Sequence, residues 1–148
     1  MISEKPLIKV TCGIIFNDEG KVFICRRKPE KSQGGYWEFP GGKMEEGESL
    51  EECLRRELLE ELDMDVQVIE HFKTVQHDYG TIHVELIAFT CQFLRSSYKL
   101  EDHDLTEWVD VFKICDKDLA PADLPIGKCL ASKKLIKIIG RKNGRFNI

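Results

Sequence analysis

One helix-forming segment restricts this chain more than any other stretch of it. Across residues 48–62, Leu50, Leu54, Leu58 and Leu62 recur at every fourth position, and acids crowd the first turn, where they suit the helix dipole. With Leu50 at zero and about 100° per residue, Cys53 projects at about 300°, Leu54 at about 40° and Leu58 at about 80°, marking the side that must face a core. Glu57 falls at about 340° and Glu61 at about 20°, inside that stripe, and Glu60 borders it at about 280°. Three carboxylates on or beside the apolar side of one helix repel one another and lose hydration. Something cationic must meet them.

Two kinds of cation answer this description. One is an internal network with Arg55, Arg56 or another base, or a helix rotated so that the glutamates reach water. The other is a divalent ion, because glutamates at i, i+3 and i+4 gather hard oxygen ligands of the kind Mg²⁺ takes when it also binds substrate phosphates. Just upstream, the Gly41-Gly42 backbone has no Cβ to keep it from approaching an ion and offering a carbonyl.

The rest of the chain narrows the class. Its 148 residues, 42% hydrophobic, suit one domain spanning residues 1–148 with a core of its own. Residues 45–61 hold eight acids against Arg55 and Arg56, a local −6, so the remainder carries +2 of the overall −4. That balance speaks against a general nucleic-acid binder. Lys128, Lys133, Lys134, Lys137, Arg141, Lys142 and Arg145 form an acid-free basic end, read as a solvated face with RNA contact as the alternative. Without an apolar run of membrane-spanning length or a signal-peptide core, the expectation is a soluble cytoplasmic protein. The six cysteines show no C-x-x-C pair and no zinc spacing, so reduced thiols packed as small apolar groups are expected.

Local patterns supply the other elements. Residues 7–16 and 21–27 read as strands joined by a turn at 17–20, and residues 28–47 as a glycine-broken loop with a short extended piece at 36–39. Residues 66–76 and 81–94 read as strands around an Asp78-Tyr79-Gly80 turn, with Tyr79 a turn residue, and 108–112 as a last strand. A short helix near 113–119 and a longer one over 123–139 follow, the latter with Ala131, Leu135, Ile138 and Ile139 as its apolar stripe. This order implies an α+β fold in which a mixed sheet is covered by helices on both faces.

From Gly42 the sequence reads GKMEEGESLEECLRRELLEELDM, which resembles the Nudix box G-x5-E-x7-R-E-U-x-E-E-x-G-U, U being a bulky apolar residue. Gly42, Glu48, Arg56, Glu57, Leu58, Glu60, Glu61 and Met64 fall on the pattern. Asp63 stands where the family has glycine, at a helix C-cap where Asp can still turn left-handed. The resemblance implies the Nudix fold, an α/β/α sandwich, and hydrolysis of a nucleoside diphosphate linked to another group. It implies Mg²⁺, with Mn²⁺ as a substitute, on Glu57, Glu60, Glu61 and the Gly41 carbonyl. Glu48 and Arg56 become the pair that holds loop to helix.

Outside the box, Cys25-Arg26-Arg27, Trp37 to Lys43 and Ala120 to Pro125 resemble segments of MutT-type nucleoside triphosphate pyrophosphohydrolases, the PADLP stretch being similar to the CTP pyrophosphohydrolase branch. This similarity implies that Arg26 and Lys43 bind phosphates, that Phe39 lines the base pocket, and that Asp102 is a further acidic ligand or base. The chain has no proline between Pro40 and Pro121, which sets aside the ADP-ribose hydrolases, and Tyr79 sits too close to the box to match the diadenosine polyphosphate enzymes. Asp123, flanked by Pro121 and Pro125, suits helix N-capping or base reading. An ionised aspartate only accepts hydrogen bonds, which matches the cytosine amine. The expected substrate is therefore CTP, dCTP or 5-methyl-dCTP, with 8-oxo-dGTP as the alternative and a non-catalytic nucleotide-binding module as the minority reading. The expected products are the monophosphate and pyrophosphate, after attack by a water on an interior phosphorus with Glu60, Glu61 or Asp102 accepting the proton.

Overall fold

A computed structural model describes residues 5–132. Its elements are β1 (Leu7–Phe16), β2 (Val22–Arg27), β3 (Trp37–Glu38), β4 (Gly41–Lys43), α1 (Leu50–Leu62), β5 (Met64–Asp78), β6 (His83–Ser96), β7 (His103–Val109), a 3-10 helix (Val111–Asp116) and α2 (Leu124–Leu130). The strands form one sheet in the order β3-β2-β1-β6-β5, with β4 paired to β1 and β7 to β2. Only β1 and β6 run parallel, so the sheet is mixed, as expected.

Both faces of the sheet are covered, which explains the near-continuous apolar runs of β1 and β2. On one face Ile15, Phe23, Cys25 and Cys91 pack against Leu54, Leu58 and Leu62 of α1. On the other, Ile14, Phe16, Val22 and Ile24 pack with Phe39 and with Ile114, Ile126 and Leu130 of the C-terminal helices. Strand alternation delivers successive residues to opposite layers, and the result is the expected α+β sandwich.

The catalytic-helix candidate starts at a capping box: Ser49 accepts from the Glu52 backbone while the Glu52 side chain accepts from the Ser49 N–H. It ends at Asp63, in the left-handed region at φ 49°, with Arg95 Nη2 2.9 Å from its carboxylate. Asp therefore replaces the family glycine without loss of the turn. The six cysteines are free thiols, four of them buried, as the spacing predicts.

Two expectations are corrected, and a third lies largely outside the described residues. Residues 41–43, read as loop, pair with β1, because two glycines let β4 lie close against it. The last strand is 103–109 rather than 108–112: Asp110 accepts from the Phe112 N–H and turns the chain into the 3-10 helix. The described part of the final helix ends at Leu130, with Ala131 as its C-cap, and Leu135, Ile138, Ile139 and the basic residues from Lys133 onward lie outside the described residues. Among the described residues no helix is long and apolar enough to cross a membrane.

Candidate active site

Arg56 gathers the acids of α1 and of the loop before it. Its Nε lies 2.5 Å from Glu48 Oε2 and its Nη2 3.0 Å from Glu48 Oε1, a bidentate clasp. Nη1 donates to Glu57 Oε1 at 2.9 Å and to Glu60 Oε2 at 3.0 Å, and Nη2 also donates to the Lys43 carbonyl. The Arg56 hydrogen bonds, with the Glu45 backbone N–H, hold Glu48 at about 2. Loop and helix are thus tied by one guanidinium, the arrangement expected for Glu48 and Arg56.

The three glutamates differ in their surroundings. Glu57 and Glu61 side chains are each 14% exposed, whereas Glu60 is 59% exposed and reaches back to Arg56. Burial, with the charge of Glu57, Glu38 and Asp102 nearby, pushes Glu61 up to about 8. Burial also raises Glu57, against the pull of Arg56. Glu61 Oε2 is buried without a hydrogen-bond partner among the described residues. The Glu57 carboxylate lies over Gly42 so closely that a Cβ there would fall 2.7 Å from Oε1 and nearer still to Cδ and Oε2. Carboxylates outnumber the single guanidinium among them, and a divalent ion with oxygen ligands fits this donor set. Asp102 is placed close enough to act on Glu61. Burial raises its carboxyl, but Lys31, 3.2 Å away, together with Arg27 and His103 holds it below the usual range.

A cleft of about 430 Å³ adjoins these groups, lined by Phe39, Gly41, Lys43 and Asp123 among the expected residues, and also by Arg27, Glu38 and Tyr79. Asp123 occupies the N-cap position of α2 without a capping hydrogen bond from its side chain; its Oδ2 instead accepts from the Phe39 N–H at 2.9 Å. Burial, reinforced by the charge of Glu38, drives the Asp123 carboxyl well above its ordinary value. The hydroxyl of Tyr79 accepts from the Ala122 N–H at 3.2 Å, so this residue closes a turn and walls the cleft at once.

Arg26 stands elsewhere. It forms a bidentate pair with Asp104 at 2.9 and 2.8 Å, while its neighbour Arg27 faces the cleft beside Glu38. Two adjacent arginines on a strand point to opposite faces, and composition alone does not say which one meets the ligand. The sequence reading also missed Glu38 and His103. His103, fully buried on β7, places Nε2 2.8 Å from Glu38 Oε2 and Nδ1 3.9 Å from Glu61 Oε2. The only signal was adjacency: Glu38 lies inside the Trp37–Lys43 segment and His103 follows Asp102.

The NUDIX domain model matches residues 11–128. An 8-oxo-dGTP diphosphatase of Proteus vulgaris is 40% identical over 86 residues, covering 58% of this chain and 77% of that protein. A CTP pyrophosphohydrolase of Escherichia coli strain K12 is 32% identical over 120 residues, covering 81% of this chain and 88% of the relative. The crystal structure of the MutT protein from Methanosarcina mazei Go1 superposes with a TM-score of 0.76 at 26% identity, over 96% of this chain and 99% of that one.

Proposed function

The chain belongs to the NUDIX domain family of hydrolases, and on that premise we propose that it cleaves a nucleoside triphosphate to the monophosphate and pyrophosphate, using Mg²⁺ held on α1. The observation that carries this reading is the acid cluster of α1: Glu57 and Glu60 on Arg56, Glu57 over the cleft-lining Gly42, and Glu61 buried beside them with Oε2 unpartnered among the described residues. Glu57, Glu60, Glu61 and the Gly41 carbonyl would hold the ion, with Mn²⁺ as a substitute and Asp102 as a further ligand or base. The bound ion supplies charge neutralisation at the phosphates and a more acidic water. Lys43 and Arg27, both lining the cleft, are the cations that receive the phosphate chain. Glu60, Glu61 and Asp102 are the acceptors for the proton lost by the attacking water, and the β-phosphorus is the proposed point of attack.

Asp123 reads the base, and its burial changes how. The sequence reading treats it as an ionised acceptor; burial favours the neutral carboxyl, and in that form Oδ2 stays engaged by the Phe39 N–H while Oδ1 carries the proton. It then presents an acceptor and a donor side by side. That pair matches the N4 amine and N3 of cytosine, and equally N7–H and O6 of 8-oxoguanine, but not ordinary guanine, whose N7 and O6 both accept. Cytidine triphosphates stand first because the Ala120 to Pro125 stretch that carries Asp123 is similar to the CTP pyrophosphohydrolase branch. The second reading, 8-oxo-dGTP, rests on the similarity to the 8-oxo-dGTP diphosphatase that is 40% identical over 86 residues.

The test is Mg²⁺-dependent pyrophosphate release from CTP, dCTP, 5-methyl-dCTP, 8-oxo-dGTP, dGTP and ADP-ribose, ranked by kcat/KM. Highest kcat/KM on the cytidine compounds supports the first reading, and on 8-oxo-dGTP the second. No release from any triphosphate refutes both. Asp123→Asn also offers an acceptor and a donor, so it keeps the same ranking; a shift of preference by tenfold or more, about the 1.4 kcal/mol of one hydrogen bond, would mean that Asp123 acts ionised.

A further inference from the structure

Two buried side-chain polar atoms have no hydrogen-bond partner among the described residues, and they face each other: Glu61 Oε2 and His103 Nδ1, 3.9 Å apart. Buried polar atoms are rarely left so, because each gives up water and gains nothing in return. His103 is held from its other side, where Nε2 lies 2.8 Å from Glu38 Oε2. Glu38 in turn lies 3.5 Å from Arg27 Nη1, and both line the cleft. A continuous line of side chains, Arg27–Glu38–His103–Glu61, therefore runs from the cleft wall to the underside of α1, crossing β2, β3 and β7. The ring cannot rotate away, since it is fully buried, with the Cys25 thiol within 4.8 Å. That thiol, pushed up by burial, stays protonated and leaves the imidazole to the two carboxylates.

We propose that His103 is a positioning residue for Glu61: it takes Oε2 and leaves Oε1 turned outward for the divalent ion. A carboxylate shift of less than about 1 Å brings the 3.9 Å separation into hydrogen-bond range. The proton of that bond serves the same geometry from either atom. Support of this kind behind a ligand fixes its orientation and is worth about 10–100-fold in metal affinity. The inference rests on the reading of α1 as a metal site.

The experiment measures Mn²⁺ binding by electron paramagnetic resonance titration of the nucleotide-free protein, alongside metal-free thermal melts. The proteins compared are the wild type, His103→Phe, His103→Asn and His103→Gln. His103→Phe fills the space and binds Mn²⁺ about 10–100-fold more weakly. His103→Asn places an amide where Nδ1 stands and recovers most of the affinity, whereas His103→Gln reaches the Nε2 position, keeps Glu38 and stays weak. A merely structural role would make affinity follow melting temperature rather than amide position. Equal Mn²⁺ affinity in folded His103→Phe and wild type overturns the proposal, and should that variant not fold, equal affinities in the Asn and Gln variants do so. A wild type that binds no Mn²⁺ overturns the metal reading itself, a distinct outcome.

Discussion

Substituting Gly42 by alanine separates the site from the fold. Neither Gly42 nor its neighbour Gly41 has a positive φ, so the effect of a Cβ at either position is one of space alone. At Gly42 the new carbon would lie 2.7 Å from Glu57 Oε1 and nearer still to Cδ and Oε2, against about 3.5 Å for an ordinary non-bonded approach, so the carboxylate must retreat by more than about 1 Å. It is the free end of a flexible side chain and can do so at the expense of its 2.9 Å bond to Arg56. That pair is partly exposed, and its loss costs about 1 kcal/mol or less, or about 2–4 °C in melting temperature. A misplacement of about 1 Å in a ligand, by contrast, costs about a hundredfold in turnover. At Gly41 the Cβ would instead run into the Thr11 carbonyl and stand 2.7 Å from Cys12 Cα, which are β1 backbone and cannot move without opening the β1–β4 pairing. Gly41→Ala therefore costs more than about 4 kcal/mol. The assay is pyrophosphate release under saturating Mg²⁺, paired with circular-dichroism melts. Gly42→Ala with near-normal kcat/KM would refute the reasoning by showing that the Glu57 position does not matter. So would a Gly42→Ala protein that melts as low as Gly41→Ala.

Other perturbations have equally definite outcomes. Glu60→Gln, at an exposed position, lowers kcat by at least about a hundredfold while the melt is unchanged; normal turnover would remove Glu60 from ligand and base roles alike. Glu48 is depressed from 4.5 to about 2, so its tie to Arg56 stabilises the fold above the unfolded value and is lost as pH falls between them. The melting difference between wild type and Glu48→Gln should accordingly be full at pH 6 and vanish near pH 2; a difference independent of pH would exclude the charge as its source. Because Glu61 without metal sits at about 8, an ion must displace its proton. Mn²⁺ affinity of the wild type should therefore rise with pH up to about 8, and Glu61→Gln should lose that slope in the same titration.

The helix and its acids were legible because everything that builds them is local. Spacing of three and four residues places Glu57, Glu60 and Glu61 on one side of α1 whatever surrounds it, and Glu48 reaches Arg56 within the same segment. The opening hairpin and the left-handed Asp63 follow from similarly short-range chemistry. Periodicity set Glu61 inside the stripe and Glu60 at its border, in line with their 14% and 59% exposure, but it could not tell which groups β3 and β7 place beneath the helix.

What remained hidden was decided between distant residues. Asp123 could cap α2 or serve the cleft, and the fold chose by bringing the Phe39 N–H to it across 84 positions. Arg26 and Arg27 look alike in the sequence until the pairing of β2 with β7 sets Asp104 beside the first. His103 and Glu38, 65 residues apart, carry no pattern that joins them. By itself the sequence determined the acid-bearing helix and the layered fold, because helix period and strand alternation are properties of the backbone, and the reaction class came through the resemblance of residues 42–64 to the Nudix box. The tertiary structure decided which charged groups are buried together, because desolvation and close pairing exist only once separate strands have been packed against one another.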